Sequence, residues 1–192
     1  MAANARHKHD MAVARLQAVA ELEVHPVYRD NMLVEIKVRV RNIRAGHNLP
    51  TSLSNIRQVW LEVTASDRDG NIIMTTGTVD EKGNLPEGVR LFNKDAQGEH
   101  FHFVVDPWLV ASFARDDTIL PRGFRDVHYG LFAEKGVPIT LELKLRYRQA
   151  DQKVAEHILS YLPPDMDLYE TYGLNAVPVL PVIDMVVKNV TI

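Results

Sequence analysis

MLVEIKVRVRN, residues Met32–Asn42, decides the fold class. Leu33, Glu35, Lys37, Arg39 and Arg41 fall on one parity; Val34, Ile36, Val38 and Val40 fall on the other. A two-residue period separates a charged face from a branched apolar face, which is the pattern of a strand with one side in water and one on a core. The alternation returns in Ile139, Leu141, Leu143, Leu145 and Tyr147 of PITLELKLRYR. RQVWLEVTASD and NIIMTTGTV read as two more strands, joined by Asp67-Arg68-Asp69-Gly70-Asn71, where Gly tolerates the positive φ of a tight hairpin turn. HFHFVV and VHYGLF add further strand-like runs.

Helical spacing occurs over 12–22, where Ala12, Val13, Leu16, Val19, Ala20 and Leu22 recur. Gly83, Pro86, Gly88 and Gly98 break up 78–99, predicting a long surface excursion. Pro163, Pro164, Pro178 and Pro181 predict an irregular strap from Tyr161 onward, and no internal repeat is visible. Several strands, Gly and Pro turns and one terminal helix predict an all-β fold, an antiparallel sandwich of immunoglobulin-like architecture. The expected division is a helical segment over 1–24 and a sandwich domain over 25–192.

The 192 residues are 46% hydrophobic and 24% charged, enough for one core. With 22 Lys and Arg against 25 Asp and Glu the formal charge is -3, and no basic stripe marks a phosphate-binding face, so nucleic acid is not an expected partner. The absence of Cys removes disulfides, thiolate metal sites, thiol catalysis and C-x-x-C-H haem attachment within the chain. No run has the roughly 18 apolar residues of a membrane span. MAANARHKHD lacks the apolar core of an export signal, so none is expected in the chain itself.

Eight histidines are the reactive inventory. His100 and His102, at i and i+2 of a strand-like run, would share a face and are candidate metal ligands if a third ligand converges; the competing reading is an exposed strand face. His25, His128 and His157 stand alone, with Asp126 near His128 and Glu156 beside His157 in sequence, a neighbour pattern too common to assign an acid–base role. No G-x-S-x-G, P-loop, dinucleotide fingerprint or H-E-x-x-H occurs, so no enzyme activity is expected. Glu81, Asp95, Asp106, Asp116 and Asp117 lack calcium-loop spacing. Trp60 reads as core and Trp108 as nearer the surface, where it can stack on a ligand. In AGHNLPTS, Gly46 permits an unusual backbone, Pro50 stiffens the corner and Thr51 can bond neighbouring backbone. His47 is therefore held in place, which suits an axial metal ligand and suits equally a histidine that ties the loop to the sheet.

The succession AGHNLPTS, RQVWLEVTASDRDGNII, a Thr-Gly, DDTILPRGFRDVHYGLF and LKLRYR resembles the C-terminal β-sandwich region of multihaem c-type cytochromes, with its G-H-x-x-P-T-G corner and R-x-x-W-L-x-V strand. Ser52 stands where that corner has Gly, and the C-x-x-C-H sites that precede it are missing. The resemblance implies a periplasmic or cell-surface module that docks on a haem-bearing region or subunit, holding no covalent haem itself. It implies His47 as a distal ligand to a haem held elsewhere, with His7 and His9 as further ligands where a haem region would end. Alternative readings are a free-standing module for a carbohydrate or peptide, or a sandwich retained as a generic scaffold; in either case the sheet edges can pair with a second copy.

Overall fold

A computed structural model describes residues 2–101, 104–163, 165–174 and 177–192. In chain order the regular elements are α1 (Ala2–Gln17), β1 (Ala20–Arg29), β2 (Met32–Asn42), β3 (Gln58–Ser66), β4 (Ile72–Thr76), β5 (Lys94–Gln97), β6 (Ser112–Asp116), β7 (Phe124–Glu134), β8 (Thr140–Arg148), α2 (Gln152–Leu159), α3 (Leu168–Tyr172) and β9 (Ile183–Thr191). One sheet has the order β1-β2-β7, the second β4-β3-β8-β9, and β5 and β6 form a separate ribbon. All pairings are antiparallel. Ile36, Val38 and Val40 of the first sheet and Val59, Leu61, Val63, Leu141, Leu143 and Leu145 of the second share one buried cluster, so the fold is an all-β sandwich. No helix among the described residues is long and apolar enough to cross a membrane.

The parity reading of β2 holds from Ile36 to Asn42 and breaks before it, where Val34 is only half-buried. Leu33 is buried although it sits on the charged parity, because a bulge between Leu33 and Glu35 shifts the register against β7. The helix lies earlier than the apolar spacing over 12–22 predicts, ending at Gln17, and Ala20, Glu21 and Leu22 start β1 instead. Ala20, Leu22 and Val24 satisfy a period of two as well as a helical one, and pairing with Asn42, Val40 and Val38 decides the outcome. Asp30 and Asn31, with φ of 46° and 65°, make the two-residue turn into β2. β1 is continuous across residues 24 and 25.

Two further expectations are corrected. HFHFVV includes two residues, 102 and 103, outside the described ones; at its start Glu99–Phe101 is a 3-10 turn in which His100 has φ 60°, within the loop joining β5 to β6, and residues 104 and 105 are not in a strand. The C-terminal strap is irregular only in part. It contains α3 and ends in β9, which pairs with β8 along nearly its whole length. The prolines at 178 and 181 delay this strand rather than prevent it.

β3 is buried on both faces. Val59, Leu61 and Val63 face the core, while Gln58 and Trp60 lie under the excursion that follows β4. That excursion is packed rather than loose: the Phe92 N–H donates to the Val59 carbonyl at 2.8 Å, and the Trp60 indole N–H donates to the Gly77 carbonyl at 2.9 Å. Arg148 is fully buried there, its guanidinium donating to Gln58 Oε1 and the Gly83 carbonyl. Burial holds its pKa below the ordinary arginine value.

The sequences DRDGN and DEKGN fold into the same turn. Asp67 Oδ1 accepts the N–H groups of Asp69 and Asn71, both at 2.9 Å; Asp80 Oδ1 accepts those of Lys82 and Asn84, at 2.9 and 2.7 Å. Gly70 and Gly83 take φ of 84° and 83°. The first turn is the exposed tip of the β3–β4 hairpin, as its Asp-Gly predicts; the second presses the Gly83 carbonyl onto Arg148.

Candidate functional site

The corner that carries His47 begins where β2 ends. Asn42 continues the inward parity of Ile36, Val38 and Val40, yet it is polar and only 1% exposed. A buried amide must find partners, and this one organises the loop. Its Nδ2 donates to the His47 carbonyl at 2.9 Å and to the Ile119 carbonyl at 3.3 Å, while its Oδ1 accepts the Ala45 N–H at 2.9 Å. Leu49 and Ile119 exchange reciprocal backbone bonds at 2.9 Å, and Asn48 Nδ2 donates to Thr118 Oγ1 at 3.0 Å. AGHNLPTS and DDTILP, distant in sequence, are thus one clamped unit. Ser52 has φ 61°, in the region that favours glycine.

His47 is exposed on this frame, and its Nδ1 lies 2.9 Å from the Asn48 carbonyl. A carbonyl oxygen only accepts, so in the neutral ring Nδ1 carries the proton and Nε2 the lone pair. That tautomer is the one a metal-ligating imidazole adopts when its other nitrogen is oriented by a carbonyl. The side chain borders a cleft of 810 Å³ between the corner and the second half of α1. That volume is within the roughly 300–1,000 Å³ of small-molecule and cofactor sites. Leu16, Val19 and Leu49 give it carbon walls, and Arg15, Arg44 and Arg57 give it positive charge. Arg57 is fixed by donating to the Thr51 carbonyl at 2.9 Å.

The other candidate residues are elsewhere. His7 and His9 lie on the first half of α1, exposed, with His9 Nδ1 3.2 Å from Asp10. Two residues apart on a helix they diverge, and neither borders the His47 cleft. His100 sits in its 3-10 turn, and His102 lies outside the described residues. Among the described residues no three His, Asp or Glu side chains converge as a metal site. His128 and His157 find carboxylates across the fold rather than in sequence. His128 Nδ1 lies 2.7 Å from Glu35, and His157 Nε2 lies 3.0 Å from Asp106, whose Oδ2 also accepts the Tyr161 hydroxyl. Trp60 is fully buried and Trp108 is 74% exposed. The residues that sequence reading missed are Asn42 and the three arginines of the cleft; a polar residue on the buried parity of β2 was the available signal for the first.

No protein-family model matches the chain, and no curated protein matches it. The comparison that bears on it is structural. The fold is one found in a multihaem cytochrome. A penta-haem cytochrome c552 from Thermochromatium tepidum superposes with a TM-score of 0.63 at 17% identity, over 94% of this chain and 41% of that one. The likeness at this identity is one of fold, and the chain spans less than half the length of that cytochrome.

Proposed function

We propose that this chain is a non-catalytic accessory β-sandwich of a multihaem electron-transfer protein, working in the periplasm or at the cell surface, and that His47 offers an axial imidazole to a haem held outside the sandwich. The observation that carries the reading is the committed Nδ1–H of an exposed His47 beside a cofactor-sized cleft. The fold shared with a penta-haem cytochrome supports it. Haem, when ligated by two imidazoles, supplies one-electron transfer at a low-spin iron. The chain's own part is positional. Asn42 and the Leu49–Ile119 bridge hold the loop, the Asn48 carbonyl holds the ring through Nδ1, and Nε2 is the nitrogen left for a metal. Titration of the protein with ferric haem, followed in the Soret band, is expected to yield a low-spin spectrum that His47→Ala abolishes. Binding indifferent to that substitution would overturn the ligand role and leave His47 as a corner residue.

A second reading, a free-standing carbohydrate or peptide module, is favoured by the exposed Trp108 on the β5–β6 loop. An indole face in water is a stacking platform for a sugar ring. Quenching of Trp108 fluorescence by oligosaccharides, with no haem binding, is the result that would select it.

A further inference from the structure

The cleft beside His47 carries charge that axial ligation does not use. Arg15 comes from α1, Arg44 from the corner and Arg57 from the approach to β3, and no Asp or Glu lines the space they share. Among the described residues the arginines that pair with carboxylates are Arg39, Arg41, Arg68, Arg90, Arg115, Arg146 and Arg148. The three of the cleft are not among them. Three arginines drawn to one apolar slot without a counter-carboxylate repel one another at modest cost in water, and an arriving anion reverses that cost.

The shape of the lining narrows the anion. Inorganic phosphate or sulfate gains nothing from Leu16, Val19 and Leu49, whereas a fatty acid satisfies the carbon walls but brings a single carboxylate and no group for an imidazole lone pair. An apolar plate with two carboxylates at one edge and a metal at its centre uses all three features. We propose that the cleft is a seat for a metalloporphyrin, in which Arg15 and Arg44 take the propionate carboxylates through their paired N–H groups while His47 faces the metal. Arg57, already held by Thr51, contributes field rather than a fork. The proposal rests on the ligand reading of His47 and adds to it a recognition of the porphyrin periphery.

Iron-free protoporphyrin IX separates the two, because it keeps both carboxylates and has no iron to ligate. Its binding to the full chain, read by porphyrin fluorescence, is expected to weaken about tenfold or more in the double variant Arg15→Gln, Arg44→Gln, and to change less than about twofold in His47→Ala. Ferric haem is expected to lose its low-spin spectrum in His47→Ala and its affinity in the double variant. Protoporphyrin binding that ignores the arginines overturns the seat while leaving the ligand reading intact; arginine-dependent binding without a His47-dependent low-spin spectrum overturns the ligand reading alone. Absence of binding by either porphyrin overturns both. A haem joined by thioethers to a short peptide, compared with free haem, identifies the source: equal or tighter binding marks a haem anchored elsewhere, and exclusion of the peptide form marks a free haem. Thermal unfolding monitored by circular dichroism checks that the exposed substitutions keep the fold.

Discussion

At the scale of single residues, the weight of the site falls on Asn42 rather than on the histidine it supports. Its side chain makes three hydrogen bonds from a nearly sealed position, two of them to carbonyls of separate segments. Replacement by Ala leaves those carbonyls and the Ala45 N–H unpaired, at about 2–4 kcal/mol in total. Urea unfolding of Asn42→Ala is expected to show that loss, and the haem-induced low-spin spectrum is expected to weaken although His47 is untouched. A loss of stability under about 0.5 kcal/mol would mean that water reaches the corner and that the amide is dispensable. Asn42 was missed although the sequence carries a signal for it, since it continues the parity of Ile36, Val38 and Val40 as the one polar member. His47 was legible as a held residue, from Gly46 and Pro50 around it. The cleft arginines were not, because Arg15, Arg44 and Arg57 come together only through the packing of α1 against the corner, and no local spacing encodes that.

At the scale of elements, the glycines at the two ends of β4 have different roles. Gly70 has φ 84° and open space where a Cβ would stand, so Gly70→Ala meets backbone strain alone, about 1 kcal/mol. Gly77 has φ 79°, and a Cβ there would collide with the Leu61 carbonyl on β3. Gly77→Ala is expected to cost about 3–4 kcal/mol, combining strain with overpacking and displacing the carbonyl that Trp60 bonds. Near-ultraviolet circular dichroism of the buried indole should change in Gly77→Ala and stay unchanged in Gly70→Ala; equal effects would show that β4 is not pinned at its second end. Periodicity located β2, β3, β7 and β8 because each has an unambiguous apolar parity or a strong turn beside it. It failed for β1, where two periods fit the same residues, and for β9, where the prolines ahead of the strand hid the branched residues after them.

At the scale of the whole molecule, charge ties neighbouring strands together on the outer face of the first sheet. Arg39 donates to both oxygens of Asp126, at 2.8 and 3.0 Å, and lies 3.7 Å over the Phe124 ring. The guanidinium holds the Asp126 carboxyl below the usual carboxylate range, and Asn71 and Asn84 do the same for Asp67 and Asp80. A carboxyl whose folded pKa lies below its unfolded one contributes stability at neutral pH and loses it as pH falls through the folded value. Stability should therefore be flat from neutrality to about pH 5 and decline below about pH 4. Asp126→Asn should be about 1 kcal/mol less stable at pH 7, with its curve meeting that of the unaltered protein in acid. Parallel curves at every pH would show that the pair contributes nothing electrostatic.

The twin turns DRDGN and DEKGN carry one chemical design into two settings. Because the bonds of each are internal to five residues, the turn forms without help from its surroundings, and what differs is what depends on it. Nothing rests on the first, so it is a graft point: a reporter peptide or a redox-active label spliced between Arg68 and Asp69 reaches solvent while the sandwich closes as before. The second is a keystone, because the same splice between Glu81 and Lys82 would lift the Gly83 carbonyl from a sealed guanidinium and open the cover over Trp60.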